Sequence, residues 1–224
     1  MTREARYLRG AFIAYEPGGY PDRRRVIPFR FNPESLSRTV AVEAGQQATG
    51  VEGAAPGASA PPASEAAADT AGAVKESFSV QIRLDFDDRD AEVSRFDPEF
   101  GIAPEIAAIE DLMYPAESDA AATSDGTEPV RAASPRPTVL LVWGRKRVLP
   151  VRISSLKIDE SVYNSHLNPV RAEIEASLEV LGEAAARDDP AVRSALDHTG
   201  AGRRELARLY YDTTAAQGST ILPL

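Results

Sequence analysis

Residues Ser77–Asp87 read SFSVQIRLDFD, and their alternation decides the fold class. Phe78, Val80, Ile82, Leu84 and Phe86 fall on one side, and Ser79, Gln81, Arg83 and Asp85 on the other. A period of two belongs to a β-strand with one buried and one wet face. RAEIEASLEVL, Arg171 to Leu181, repeats the pattern: Ala172, Ile174, Ala176, Leu178 and Val180 oppose Arg171, Glu173, Glu175, Ser177 and Glu179. Burying a large apolar side chain is worth roughly 1.5–3 kcal/mol, so each apolar row is expected to face the core.

Working outward, LRGAFIAYE (Leu8–Glu16) and RRVIPFRFN (Arg24–Asn32) read as strands joined by the turn PGGYPD. PTVLLVWG is a short apolar strand. KRVLPVRISSLKIDES is another, where Pro150 suggests an edge or a bulge. Its alternation slips between Ile153 and Leu156, as a bulge would make it. APEIAAIEDLMYP follows Ile102 and places Ile106, Ile109 and Met113 at helical spacing, with Pro104 in the first turn. After DDP, residues near Ala191–Tyr211 read as one or two helices, with a break expected at HTGAG. Strands dominate and no βαβ rhythm is present, so the expected class is α+β, mostly β, built as a barrel or sandwich. Residues 45–73 and 115–137 are rich in Ala, Gly, Pro, Ser and acid, and poor in large apolar side chains. Both are expected to be flexible inserts. The expected organisation is a β domain over 1–182 and a helical C-terminal extension over 183–224.

The chain has 224 residues, a net charge of −9 and no cysteine. The acidic balance argues against nucleic acid or an anionic membrane as partner. The missing cysteines exclude a disulfide framework and thiolate chemistry. MTREARYLRG lacks an apolar signal core, and no run approaches the length of a membrane span.

Catalytic vocabulary is sparse. His166 and His198 are the only histidines, and no metalloprotease, nucleophile-elbow, dinucleotide or phosphate-loop motif occurs. His166, close to Asn168, reads as a loop hydrogen-bonder. The run Asp85, Asp87, Asp88, Asp90 is the best metal candidate. Counted from Asp85, however, a calcium loop would place Arg89 at its fifth position and Asp90 where glycine is needed. An acidic turn at a strand end explains it more simply. Glu173 and Glu175 could suggest glycoside hydrolysis, but two residues apart on one strand they read as a solvated face. Trp143 reads as a packing residue, and Arg23–Arg25 as an exposed basic turn. No cofactor and no metal are expected.

Taken in order, GAFIAY, FRFNPESLSRT, LDFDD, GIAPEIAAIEDLMYP, PTVLLVWG and VRISSLKIDESVYNSHLNPVRAEIEASLEVL resemble the tube-domain proteins of contractile injection systems. These are phage-tail-like particles, and this family supplies the adaptor between inner tube and baseplate spike. The resemblance runs from about Leu8 to Leu181 and is carried mainly by Asn32, Pro33, Trp143, Gly144, Asn168, Pro169, Arg171 and Ala172. It implies a tube-type β-barrel with a packed helix, assembled with itself into a ring, typically a hexamer, between an inner tube protein and a spike or hub protein. Assembly would take place in the cytoplasm within such a particle, which can then be released. Gln81, Arg83, Asp85, Arg171, Glu173, Glu175 and Glu179 would line the lumen. Each Asn-Pro would mark a corner where a strand leaves one sheet for the next. Relatives often carry a C-terminal LysM module; GRRELARLYYDTTAAQGSTILPL is too short for an obvious one, so glycan binding gains little support. Two other readings stand beside the structural one: a carboxylate-dependent hydrolase using Asp85, Glu173 and Glu175, and a monomeric ligand-binding β-barrel.

Overall fold

The computed structural model describes residues 8–29, 32–42, 74–88, 98–114 and 136–221. The expected inserts at 45–73 and 115–137 lie outside the described residues, except for Arg136 and Pro137. Seven strands form one antiparallel sheet: β1 (Ala11–Tyr15), β2 (Arg24–Pro28), β3 (Leu36–Val42), β4 (Val74–Asp85), β5 (Thr138–Val142), β6 (Val148–Tyr163) and β7 (Pro169–Val180), in the order β2-β1-β5-β6-β7-β4-β3. The fold is mostly β with a few helices. Among the described residues β2 and β3 stand at the two edges and are not paired with each other.

The alternation in β4 and β7 does what its period requires. The two strands pair with Ile82 opposite Ile174, Val80 opposite Ala176 and Phe78 opposite Leu178, all buried. They join Phe12, Leu141, Leu149 and Val151 in one apolar cluster, against which Ile27 of β2 and Leu36 of β3 also pack. Helix α1 (Ala103–Glu110) starts with proline in its first turn and buries Ile106 and Ile109 in the same cluster, with Ile102 just before it. Gly101 has φ +55, and a Cβ there would lie 2.1 Å from the Pro169 carbonyl oxygen. Only glycine lets the entry to α1 lie against the start of β7.

The slip in β6 is a real irregularity: the β6–β7 register shifts between Ile153 and Ser155. Pro150 does not mark an edge, since β6 lies between β5 and β7. It sits where the β6–β7 ladder runs out. That register begins at Val151 and Val180, and the Leu181 N–H donates to the Pro150 carbonyl at 2.8 Å. The missing N–H is therefore tolerated within a central strand.

The Asn-Pro pairs are not corners between sheets, because the strands of the described residues form one sheet. Asn168-Pro169 closes the tight β6–β7 hairpin, with Tyr163 opposite Pro169. Asn32-Pro33 lies in the link from one edge strand, β2, to the other, β3. The Asn32 side chain accepts from the Gly10 N–H and donates to the Leu8 carbonyl, both at 2.8 Å, and so fixes the entry to β1.

A short helix, α2 (Glu183–Ala186), precedes α3 (Pro190–Ile221). Asp189 caps α3, its Oδ1 accepting from the Ala191 N–H at 2.8 Å, with Pro190 as the first helical residue. HTGAG does not break the helix. Gly202 is there for contact: a Cβ would stand 2.9 Å from the Lys146 carbonyl oxygen. The buried Thr199 hydroxyl donates to the Val148 carbonyl at 2.6 Å and accepts the Val148 N–H at 3.0 Å. His198 Nε2 lies 2.9 Å from the Arg145 carbonyl oxygen. These contacts hold the first half of α3 on the β5–β6 hairpin. Among the described residues no helix is long and apolar enough to cross a membrane.

Candidate interaction surface

The face opposite the core divides: on β1, β5 and the start of β6 it is apolar, with Leu140, Ile13 and Val148 packed on Ala191 and Ala195 of α3, whereas on β4, β7 and the far part of β6 it is polar, and the ladder orders it into rows, since directly opposed residues share a face. Lys157, Glu175 and Gln81 form one row across β6, β7 and β4; Asp159, Glu173 and Arg83 form the next. Ser161, Arg171 and Asp85 form a third. Toward β3, Ser155, Ser177, Ser79 and Ser37 make a row of hydroxyls four strands wide. The seven residues expected on this face are thus brought together on β4 and β7. The rows add Lys157, Asp159 and the hydroxyls of β3 and β6, which the sequence reading missed because β6 alternates poorly beyond its irregularity and β3 is exposed along nearly its whole length.

Asp85 departs from the expectation of a wet face, for it is only 3% exposed. Arg171 Nε donates to Asp85 Oδ2 at 2.7 Å, the Asp87 N–H donates to Oδ1 at 3.2 Å, and Arg83 approaches to 3.5 Å. Burial alone would raise this carboxyl. The hydrogen bonds from Arg171 and the Asp87 backbone, the charge of Arg171 and the Arg83 contact outweigh it and hold the group below the usual aspartate value. Asp85 is therefore a locked structural carboxylate. Asp159 beside Lys157, at 2.6 Å, raises that ammonium above its ordinary value, with a smaller push from Glu175.

Glu173 and Glu175 stand on the open face. Among the described residues no group of three His, Cys, Asp or Glu side chains could hold a metal ion. Asp90 lies outside the described residues.

The residues singled out by resemblance divide between two ends of the sheet. At one end Asn32 holds Gly10, Phe29 packs 6.4 Å from Trp143 between ring centres, and Gly144 turns from β5 toward β6 with φ +75. At the other end Asn164 and Asn168 both donate to the Glu99 carbonyl, at 2.6 and 2.8 Å, and Arg171 and Ala172 follow on β7. His166 belongs to this turn, its N–H donating to Asn164 Oδ1 at 2.9 Å.

The sequence matches no family model and no curated protein.

Two further features lie along the first half of α3. Glu76 of β4 is clasped by Arg38 of β3 and by Arg203 of α3, the latter at 3.2 Å. Beside it a groove of about 740 Å³ runs between α2, α3 and the ends of β6 and β7.

Proposed function

We propose that this chain is a structural subunit of a contractile, phage-tail-like injection particle, forming a ring that joins the inner tube to the baseplate spike. The observation that carries this reading is the ordered polar face. Its rows hold Arg152, Lys157, Arg83 and Arg171 against Glu179, Glu175, Glu173 and Asp159, with a hydroxyl row between. A wall of mixed, near-balanced charge and small hydroxyls suits a lumen through which a spike or cargo slides without sticking. Two edge strands, β2 and β3, whose outer edges meet no strand among the described residues, support lateral pairing, because an exposed sheet edge is a template for another strand. Both edge strands also send a side chain to the same core cluster, and seven residues, 29–35, join them. That favours a sheet curled toward a tube-type barrel. The ordered resemblance of Leu8–Leu181 to tube-domain proteins points the same way.

The test is co-expression with candidate tube and spike proteins of such a particle, followed by light scattering on the purified product and electron microscopy. A closed ring, sixfold by the resemblance, bound to either partner is expected. A monodisperse monomer that captures neither partner overturns the reading.

A further inference from the structure

The tight turn between β5 and β6 carries three consecutive cations, Arg145, Lys146 and Arg147. Its backbone is fixed: the Trp143 N–H donates to the Arg147 carbonyl at 2.9 Å, Gly144 takes φ +75, and His198 of α3 meets the Arg145 carbonyl. Arg38 of β3 and Arg203 of α3 converge on the same place. Glu76, its side chain only 9% exposed, holds both, and Arg38 also lies over the Phe78 ring at 5.9 Å. These five cations surround a cavity of about 350 Å³ in which Glu76 is the single acidic lining residue. Glu205 of α3, just outside the lining, holds Lys146. Five positive charges against two leave an excess of three, in a chain whose net charge is −9. Arg145 and Arg147 have no acidic partner among the described residues.

The cavity is not wholly polar. Trp143 and Leu149 form part of its wall, as does Leu206, which is 53% exposed. Tyr210 follows four residues along α3, and positions i and i+4 of a helix share a face. With Leu209 it carries an exposed apolar row onward from the cavity. A free phosphate or other small oxyanion would leave this row bare. A peptide bearing carboxylates beside large apolar side chains covers both features: its acids enter the cationic cavity, and its apolar residues lie on Leu206, Leu209 and Tyr210. Four of the five cations are arginines, whose planar guanidinium pairs with a carboxylate through parallel N–H bonds.

We propose that this cavity is a docking site for an acidic, apolar peptide segment of a partner protein. The site requires neither the polar wall nor ring closure, so it goes beyond that reading and stands or falls without it.

Selection of random short peptides on the full chain tests it, with binding of the selected peptides read from the fluorescence of Trp143, the only tryptophan. Selected peptides should be rich in Asp and Glu interspersed with large apolar residues, should change the Trp143 emission, and should bind more weakly at high salt. Arg145→Gln and Arg147→Gln in one chain should weaken them at least ~10-fold without changing thermal melting, since both residues belong to a surface turn. Leu206→Ser should weaken them as well. Arg23→Gln and Arg24→Gln, which remove the same charge from the β1–β2 turn, should leave binding intact. A parallel titration with sodium tripolyphosphate separates a phosphate ligand from a peptide. Tripolyphosphate that binds more tightly than every selected peptide, selected peptides poor in acid, a selection that enriches nothing, or binding indifferent to the Arg145 and Arg147 changes overturns the proposal.

Discussion

Arg171 reaches across the β4–β7 ladder to hold Asp85, Nε to Oδ2 at 2.7 Å, and the carboxylate it holds is almost wholly shielded while the guanidinium stays half in water. The folded pKa of Asp85 is depressed. The stability this gives is present above the unfolded value, about 3.9, and is lost as pH falls through the lower folded value. Arg171→Gln should cost about 1–2 kcal/mol near neutrality, less than a fully buried pair because Arg171 is solvent-screened and Arg83 remains nearby. Urea titrations at neutral and strongly acidic pH should show that difference shrinking in acid. A difference independent of pH would show that Arg171 acts through packing alone.

Ile82 and Glu175 sit on opposite faces of adjoining strands, and their substitutions should differ in kind. Ile82→Asp places a charge in the core with no partner and should cost about 4 kcal/mol or more, unfolding the subunit. Glu175→Lys faces solvent beside Lys157 and should cost within about 0.5–1 kcal/mol. Thermal melting of the isolated chain separates them. Equal damage from both would mean the two faces have been assigned the wrong way round.

Two glycines in α3 should give opposite signs when replaced by alanine. At Gly200 a Cβ would meet only the end of the Arg204 side chain, at 3.5 Å, so Gly200→Ala should stabilise by up to ~1 kcal/mol through helix propensity. At Gly202 the Cβ would press on the Lys146 backbone at 2.9 Å. Gly202→Ala should therefore destabilise despite the same propensity gain. Denaturation midpoints of the two variants decide it, and stabilisation by both would mean α3 can move off the β5–β6 turn.

Asn32→Ala removes two hydrogen bonds from the entry to β1 and leaves the Gly10 N–H without its acceptor. A loss of about 1–3 kcal/mol is expected. Hydrogen exchange at the Gly10 amide should accelerate more than at amides in the centre of β4. Unchanged protection at Gly10 would remove the structural role given to this asparagine.

The parts of the fold legible from sequence are those with strict local periodicity. Phe78 to Leu84 and Ala172 to Leu178 show their burial directly, Ile102, Ile106 and Ile109 mark α1, and the irregularity after Ile153 is visible as a slipped alternation. What could not be read depends on distant partners. Gly202 carries a helix-breaker's signature but serves a close contact with Lys146, more than fifty positions away. Asp85 alternates as a wet residue, and only the register with Arg171 buries it. The Asn-Pro pairs looked alike, yet one pins a strand entry and the other closes a hairpin. The wall itself was half legible: β4 and β7 declare their polar sides, whereas β3 and the far part of β6 do not.

The strand order has a consequence for how the chain is made. The β1–β2 hairpin leaves the ribosome early, but its other neighbour is β5, with Tyr15 paired to Thr138. At about 5–20 residues per second, that neighbour follows on the order of ten seconds later. Meanwhile β1 offers an uncovered backbone and the bare ring of Phe12 to whatever is nearby. Closure across so long a loop is slow, since its entropy is lost before any contact compensates. Newly made chains should therefore depend on holding chaperones until β5 arrives, and crowding many ribosomes on one message would favour pairing between nascent neighbours over correct folding.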